Sequence, residues 1–555
     1  RQWGACGYHT ICCLATSCGA FKKLTRTTFI VTLTLQATMT FGQAGQWTWV
    51  HGDSACCQTA VYGTIGVFAP TNTPGAIYEA CEWTDQQGKF WLLDNYDLWQ
   101  YDPTINQWAW MKGPMGVMVW GVHGTKGVGS PSNYPGYREK GTATWTDNNG
   151  DLWLFGGLGM DSLNNFGYKN DLWKYDIGAN EWTWVKGSNG VGVAPTFGTK
   201  GVSTLSNTPG GKFETSATWI DSNGDLWLFG GVGLDSLSSV GAWNDLWVYD
   251  IPTNEWTWIS GDNFINPSAV YGTKGVPSIT NKPSGRYCYN RWIENDNLWL
   301  FGGQMMGGLK LNDLWRYNIS TTEWTWVSGS DTTYHPGVYG EKCIPSLTMY
   351  PSARNESRST WTDQNGNFWL FGGIRFSSLN DLWVFNSTTT EWTWVFGDTI
   401  LNPPSNHGKL LVSSPTNDPG GKNGPVGWAD TLGNLWLFAG QAGSPYNDLW
   451  KFEIDPNCNG ITGITEFQQN FEFQIVPNPF DQTTTVIFYL DNSEEVTIEL
   501  SDLLGQQVQT LSKGDRPIGR NEVTIDTDDL SAGIYILTIR LGDYFKSEKI
   551  LKTKY

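Results

Sequence analysis

Large apolar residues in this chain come in short runs separated by polar turns, and the runs return in one fixed order. Reading from Trp83, a unit consists of Trp-Thr-Asp, then Leu-Trp-Leu-Phe-Gly-Gly, then Asp-Leu-Trp, then Glu-Trp-Thr-Trp, each with close variants. The first marker falls at Trp83, Trp145, Trp219, Trp292, Trp361 and Trp428, and the third at Trp99, Trp173, Trp247, Trp315, Trp383 and Trp450. Repetition of this regularity means that one small unit has been copied and stacked. Each run is rich in Trp, Phe, Tyr, Leu and Val and is bounded by turn residues, which reads as strand. Asp147-Asn148-Asn149-Gly150 and its relatives are tight hairpin turns closing on Gly, where a positive φ costs little. They lack the later ligands of a calcium loop and run straight into a strand, so the turn reading is preferred.

The order also indicates how the array ends. The unit beginning at Trp428 stops after Trp450 without its fourth element, while Gln46-Trp47-Thr48-Trp49-Val50 stands ahead of the first unit with no unit of its own. If that element supplies the missing outer strand, six units of four antiparallel strands close into an all-β, six-bladed β-propeller, a radial design that protects its sheet edges.

Leu-Trp-Leu-Phe-Gly-Gly, Asn-Asp-Leu-Trp-x-Tyr-Asp and Glu-Trp-Thr-Trp in this order resemble the kelch repeat, the blade unit also found in the galactose oxidase propeller. The resemblance covers residues 46–455. The first unit departs from it, because Trp91-Leu92-Leu93-Asp94-Asn95 lacks the Gly pair and runs almost directly into Asp97-Leu98-Trp99. Its second hairpin loop is therefore shortened, and that sector of the ring is expected to be the most open.

A formal charge of -18 and a pI near 4.7 disfavour nucleic acid, whose binding needs a basic surface. Lys22, Lys23 and Arg26 precede an apolar stretch from Thr28 to Phe41 with small residues at Gly42 and Ala44, the layout of a secretory signal peptide. The stretch is too short and too rich in Thr for a transmembrane anchor. Residues 1–45 are accordingly read as upstream sequence and signal peptide, with export through the periplasm. Cys56, Cys57, Cys81, Cys288, Cys343 and Cys458 follow that segment without any CxxC pair. A zinc site is thus disfavoured, and one or two disulfides with some buried free thiols are expected, their connectivity open.

Residues 456–470 lack Trp and read as a linker, after which alternating strands such as Thr485-Val486-Ile487-Phe488-Tyr489 announce a small C-terminal β-sandwich at 471–555. Its Pro477-Asn478-Pro479-Phe480 opening, Asp502-Leu503-Leu504-Gly505, Leu530-Ser531-Ala532-Gly533 and Lys549-Ile550-Leu551-Lys552 resemble the C-terminal sorting domain of the type IX secretion system of Bacteroidetes. That resemblance implies the secretion machinery as a partner, and release from or attachment to the outer cell surface.

Function on a propeller generally lives in its loops. The loops after Glu-Trp-Thr-Trp are long and emerge on the same face as those after Gly-Gly. An aromatic or His followed by Gly recurs in them at Tyr62, His123, Phe197, Tyr271, Tyr339 and His407, a series expected to pin the loops. A basic residue precedes each inner strand at Arg138, Lys212, Arg286, Arg354 and Lys422, with Ile77 breaking the series. These five are candidate ligand-binding residues around one channel mouth, the alternative being ion pairs between blades.

Chemistry finds less support. The His residues occupy no recognisable ligand motif, so neither a copper site nor another metal or cofactor is expected. The carboxylates in the motifs recur in nearly every unit, whereas a glycosidase needs one unique pair. The leading reading is a secreted or surface-displayed module that binds a glycan or an extracellular protein, without catalytic residues. The alternatives are an extracellular carbohydrate-active or oxidising enzyme and a structural component of the cell surface.

Overall fold

The computed structural model describes residues 45–555 except 140, 216–217, 456–457, 459–472, 491–492, 502–506, 527–529, 542–543 and 554–555. The signal peptide and upstream sequence expected before residue 45 lie outside the described residues, as do most of the expected linker and the Asp502-Leu503-Leu504-Gly505 turn.

Every regular element among the described residues is a β-strand. The six repeats form six antiparallel sheets, numbered here as blades 1 to 6 from Trp83 onward. In blade 4 the strands Asn290–Glu294, Asn297–Gln304, Lys310–Asn318 and Glu323–Ser328 pair in chain order, and the other blades repeat this meander. The first strands of the blades neighbour one another in cyclic order, and the strand of blade 6 lies beside that of blade 1. Because each blade is sandwiched between two others, its second strand is apolar on both faces. Leu435–Phe438, for example, is buried at every position.

The core is divided among the interfaces. One apolar cluster fills each gap between successive blades, including that between blades 6 and 1. The Trp of the first strand also ties blade to blade: Trp83 Nε1 donates to the Trp153 carbonyl at 2.9 Å, Trp145 to Trp227 at 3.0 Å, and Trp361 to Trp436 at 3.2 Å. At the gap between blades 6 and 1, Trp428 stacks instead on Phe90, with ring centroids 5.2 Å apart and planes 2° from parallel.

The fourth strand of blade 6 is Gly45–His51, which pairs antiparallel with Leu449–Ile454. Trp47 is completely buried there, edge-on to Phe371 and Trp450 and tilted against Phe452. Asn417 Nδ2 donates to the Trp47 carbonyl at 2.9 Å from the other side.

That Asn contact recurs around the ring and shows what the long loops do. Asn133 Nδ2 donates to the Trp182 carbonyl, Asn207 to Trp256 and Asn281 to Trp324, so the loop entering a blade lies along that blade's outermost strand. A Lys in the same loops caps the second Trp of Glu-Trp-Thr-Trp. Lys200 Nζ sits 4.3 Å from the Trp258 ring centroid and donates to the Gly261 carbonyl. Much of each long loop is therefore a clasp on the next blade.

The C-terminal unit is a sandwich of a three-stranded sheet (Phe473–Val476, Thr483–Leu490, Gly519–Asp526) and a four-stranded sheet (Gln507–Arg516, Glu494–Ser501, Gly533–Leu541, Tyr544–Lys552). Both sheets contribute to one core that includes Val486, Phe488, Ile498, Leu537 and Ile539. The two ends of the unit grip each other: Asn478 Nδ2 donates to the Lys549 carbonyl, Asn478 Oδ1 accepts from the Leu551 N–H, and the Phe480 N–H donates to the Leu551 carbonyl. Cys343 and Cys458 form a disulfide that ties the loop entering blade 5 to the chain just beyond Leu449–Ile454 of blade 6. Cys56, Cys57, Cys81 and Cys288 are free thiols.

Trp47→Ala should cost about 3–5 kcal/mol, the usual loss for truncating a buried Trp, and deletion of residues 46–50 should cost more. Chemical denaturation followed by Trp fluorescence measures both, and a midpoint unchanged by the deletion would show that blade 6 does not depend on this strand.

Candidate ligand-binding face

Each blade carries a buried Asp at the start of Asp-Leu-Trp, and the candidate residues converge on it. Asp97, Asp171, Asp245, Asp313, Asp381 and Asp448 are all shielded from solvent. In blade 4, Arg286 donates through Nη1 to Asp313 Oδ1 at 2.6 Å and through Nη2 to Asp313 Oδ2 at 2.8 Å. It also donates to the Gly302 carbonyl at 3.1 Å. Arg354 makes the same fork to Asp381, and Arg138 to Asp171. Lys212 and Lys422 make single-headed versions to Asp245 and Asp448. The aromatic series reaches the same carboxylates: Tyr62 to Asp97, His123 to Asp171, Tyr271 to Asp313, Tyr339 to Asp381 and His407 to Asp448. Phe197 has no polar tip and packs on Trp243, Trp247 and Trp258.

Electrostatics follow from geometry. Burial opposes the Arg286 charge, but Asp313 outweighs it and holds the guanidinium above its ordinary range; Asp381 does the same for Arg354. Lys212 and Lys422 have no second donor arm, and burial pulls both ammonium groups below their ordinary range. Burial alone would raise Asp171, yet Arg138 and Lys169 together hold it well below the usual carboxylate range.

These positions overturn the expected basic ring. Arg138, Lys212, Arg286, Arg354 and Lys422 are between 0% and 3% exposed, and their donors are committed to an Asp and a backbone carbonyl within the blade. Buried in this way, the five cationic groups do not face a channel mouth. The physical reason is the recurring Asp: a carboxylate buried in every blade needs an internal cation, and the residue two or three positions past the Pro-Gly-like turn is the one within reach. The aromatic and His series lies against the same Asp residues and the neighbouring Trp rings, as His123 does with Trp173 and Trp184.

A different set of side chains stands ahead of the inner strands. Glu79, Gly141, Glu214, Cys288, Glu356 and Gly424 share a left-handed backbone with φ between 54° and 60°. The Glu79 N–H donates to the Gly424 carbonyl, Gly424 to Glu356, Glu356 to Cys288 and Cys288 to Glu214, which forms a backbone collar. Glu214 is buried and its carboxyl is raised by that burial, while the nearby Arg358 guanidinium acts in the opposite direction. The sequence signal for this collar was present in three Glu at equivalent offsets, but its regularity is broken by two Gly and a Cys.

Blade 1 is the exception to the Asp node. Ile77 occupies the place of the basic residue: its N–H donates to the Tyr446 carbonyl of the preceding blade, as the Lys212 N–H does to Lys169 and the Arg286 N–H to Trp243. Asp94 stands where blades 2 to 5 have the first Gly of the pair and blade 6 has Ala439, so its side chain adds a second carboxylate to the node. Asp94 Oδ1 accepts from the N–H groups of Tyr96 and Asp97, and Oδ2 from Trp99 Nε1 at 3.2 Å. Asp97 accepts from Tyr62 Oη and from the Met115 and Gly116 N–H groups. Burial, reinforced by Asp97, pushes the Asp94 carboxyl up to about 7. A cavity of about 370 Å³ lies here, lined by Tyr62, Ile77, Asp94, Tyr96 and Met115 among others. A larger one, about 560 Å³, lies between the loops of blades 5 and 6 beside Phe376, Asn402 and Tyr446, so the first sector is open but not uniquely so.

Residues 200–414 match the KLHDC2/KLHL20/DRC7 Kelch-repeats domain, and residues 474–553 match the Secretion system C-terminal sorting domain. The ring is a kelch-repeat propeller. The sandwich that follows it in the chain is a type IX sorting domain. Among curated proteins, Protein ral2 of Schizosaccharomyces pombe is 24% identical over 193 residues, 34% of this chain and 28% of ral2. Host cell factor of Drosophila melanogaster is 24% identical over 230 residues, 38% of this chain and 12% of the relative. Multiple epidermal growth factor-like domains protein 8 of Homo sapiens is 23% identical over 227 residues, 40% of this chain and 6% of the relative. The kelch chain thus spans at most 28% of the length of these relatives. The solved structure of YjhT is 15% identical with a TM-score of 0.44, over 69% of this chain and 97% of that one.

Two outcomes follow from the nodes. Arg354→Ala leaves Asp381 buried without its cation and should cost about 3–5 kcal/mol in urea denaturation; a midpoint unchanged by the substitution would show that the Arg354–Asp381 pair does not hold the blade. Asp94 binds its proton more tightly folded than unfolded, so its contribution to stability is present at low pH and is lost as pH rises from about 4 to about 7. Asp94→Asn should therefore gain on the wild type across that window, which paired denaturation curves at pH 4.5 and 7.5 measure directly.

Proposed function

We propose that this kelch chain is a binding protein, delivered to the cell exterior by its sorting domain, whose looped face engages an extracellular protein. The observation that carries this reading is the loop after the outermost strand of blade 1, where Met115, Val117, Met118 and Trp120 are all about half exposed. Apolar side chains displayed together on one loop of a propeller face are a protein-docking feature, whereas scattered single ones need no explanation. Met adapts to irregular partners, and Trp is a frequent anchor at interfaces. The sorting domain supports secretion or surface attachment, and no described helix is long and apolar enough to cross a membrane. The reading places the binding surface on the loops of blades 1 and 2 rather than at the channel mouth. A glycan ligand or a carbohydrate-active enzyme would instead use polar groups of the same face.

Two measurements address the two halves of this proposal. Met118→Ser with Trp120→Ser should abolish capture of extracellular proteins by the displayed chain without changing its melting behaviour; glycan-array binding that survives the double substitution would replace the protein ligand with a sugar. Truncation at residue 470 should leave a folded propeller retained in the periplasm of a host with the type IX system, and normal surface display of the truncated chain would remove the sorting role.

A further inference from the structure

Among the described residues, the blade 1 node is the one of the six in which no Lys or Arg of the chain pairs with the buried carboxylate. In the other five, a Lys or Arg reaches over the first residue of the Gly pair to the Asp of Asp-Leu-Trp. In blade 1 Ile77 stands in place of the basic residue and Asp94 in place of the Gly, and both residues line the cavity. The change therefore replaces a cation by an apolar wall and adds a negative charge in the same place. Tyr62 and Tyr96 are also in the lining, which gives the cavity aromatic residues beside a carboxylate. That combination suits an alkylammonium or alkylguanidinium group, whose charge meets the carboxylate and whose stem meets Ile77 and the rings. Among the described residues, the other titratable groups beside Asp94 are acidic, neutral or committed: Asp97, Tyr62, Tyr96 and Tyr134 lie near it, and the Arg138 guanidinium is forked onto Asp171.

We propose that this cavity receives the Lys or Arg side chain of the partner polypeptide, in the position that an internal Lys or Arg fills in the other blades. The identity of the partner as a protein rests on the function proposed above; the preference for an organic cation rests on the cavity alone. Met115 and Gly116 line the cavity and lead directly into the exposed Val117, Met118 and Trp120, so a segment carrying a basic residue next to apolar ones would fill both.

The test is titration calorimetry on the full chain at low ionic strength with Nα-acetyl-lysine methylamide, Nα-acetyl-arginine methylamide and the neutral isostere Nα-acetyl-norleucine methylamide. At pH 8 at least one cationic probe should bind saturably and at least about tenfold more tightly than the neutral one. Lowering the pH to 5.5 protonates the carboxylate that the cation must meet, and should weaken the binding by about tenfold. Ile77→Arg supplies the missing internal cation, so it should keep the fold and abolish probe binding; Asp94→Asn should weaken binding as well. Equal affinity for charged and neutral probes, no saturable binding, or undiminished binding to Ile77→Arg would each overturn the proposal. Retained probe binding in the Met118→Ser, Trp120→Ser double variant, together with loss of protein capture, upholds the site and the partner alike. Probe binding in a wild-type chain that captures no protein upholds a site for free amines and removes the polypeptide occupant.

Discussion

The fold depends on a carboxylate buried in every blade. An Asp taken out of water is destabilising unless cation and hydrogen-bond donors replace its hydration. In blades 2, 4, 5 and 6 those donors come from three separate parts of the chain: the Trp two residues on, the Tyr or His of the entering loop, and the basic residue just ahead of the first strand. In blade 4 they are Trp315, Tyr271 and Arg286, all on Asp313. The backbone of the basic residue meanwhile bonds to the preceding blade, as the Arg286 N–H does to the Trp243 carbonyl. One Asp thus fixes a loop, a blade and an interface, and the apolar clusters between blades fill the space that these nodes define.

The architecture was legible in the sequence because it is carried by spacing. Trp83, Trp145 and their relatives keep phase over six units, and a strand buried on both faces announces itself by composition alone. The truncated second hairpin of blade 1 was equally visible in Leu93-Asp94-Asn95. What spacing does not encode is which way a side chain points. Arg286 and Arg354 recur at the right offset for either a channel mouth or a buried pair, and the deciding partners, Asp313 and Asp381, belong to a motif that looks purely structural when read alone. Asp94 was seen only as the absence of Gly. Its meaning appears when it is set beside Ile77, seventeen positions earlier, and that juxtaposition is created by the fold.

The long loops teach a related lesson. Their length reads as freedom, yet Asn133, Asn207 and Asn281 fasten them to the outermost strands, and Lys200 caps Trp258. The segments between the clasps, such as Met115 to Trp120, are where the binding proposed above is placed.

The closing strand has a kinetic meaning. Trp47 and Phe452 lie at opposite ends of the propeller sequence but face each other in one sheet. Bringing such distant segments together is the slowest class of contact, because the chain entropy of a long loop must be given up before the contact is made. Blades 1 to 5 can each form from neighbouring hairpins, whereas blade 6 must wait for a strand made at the start and three made at the end. Until then its edge, Leu449–Ile454, stays available to any other extended segment, including the first strand of a second copy, so the last step of folding is also the step at which two chains could exchange arms.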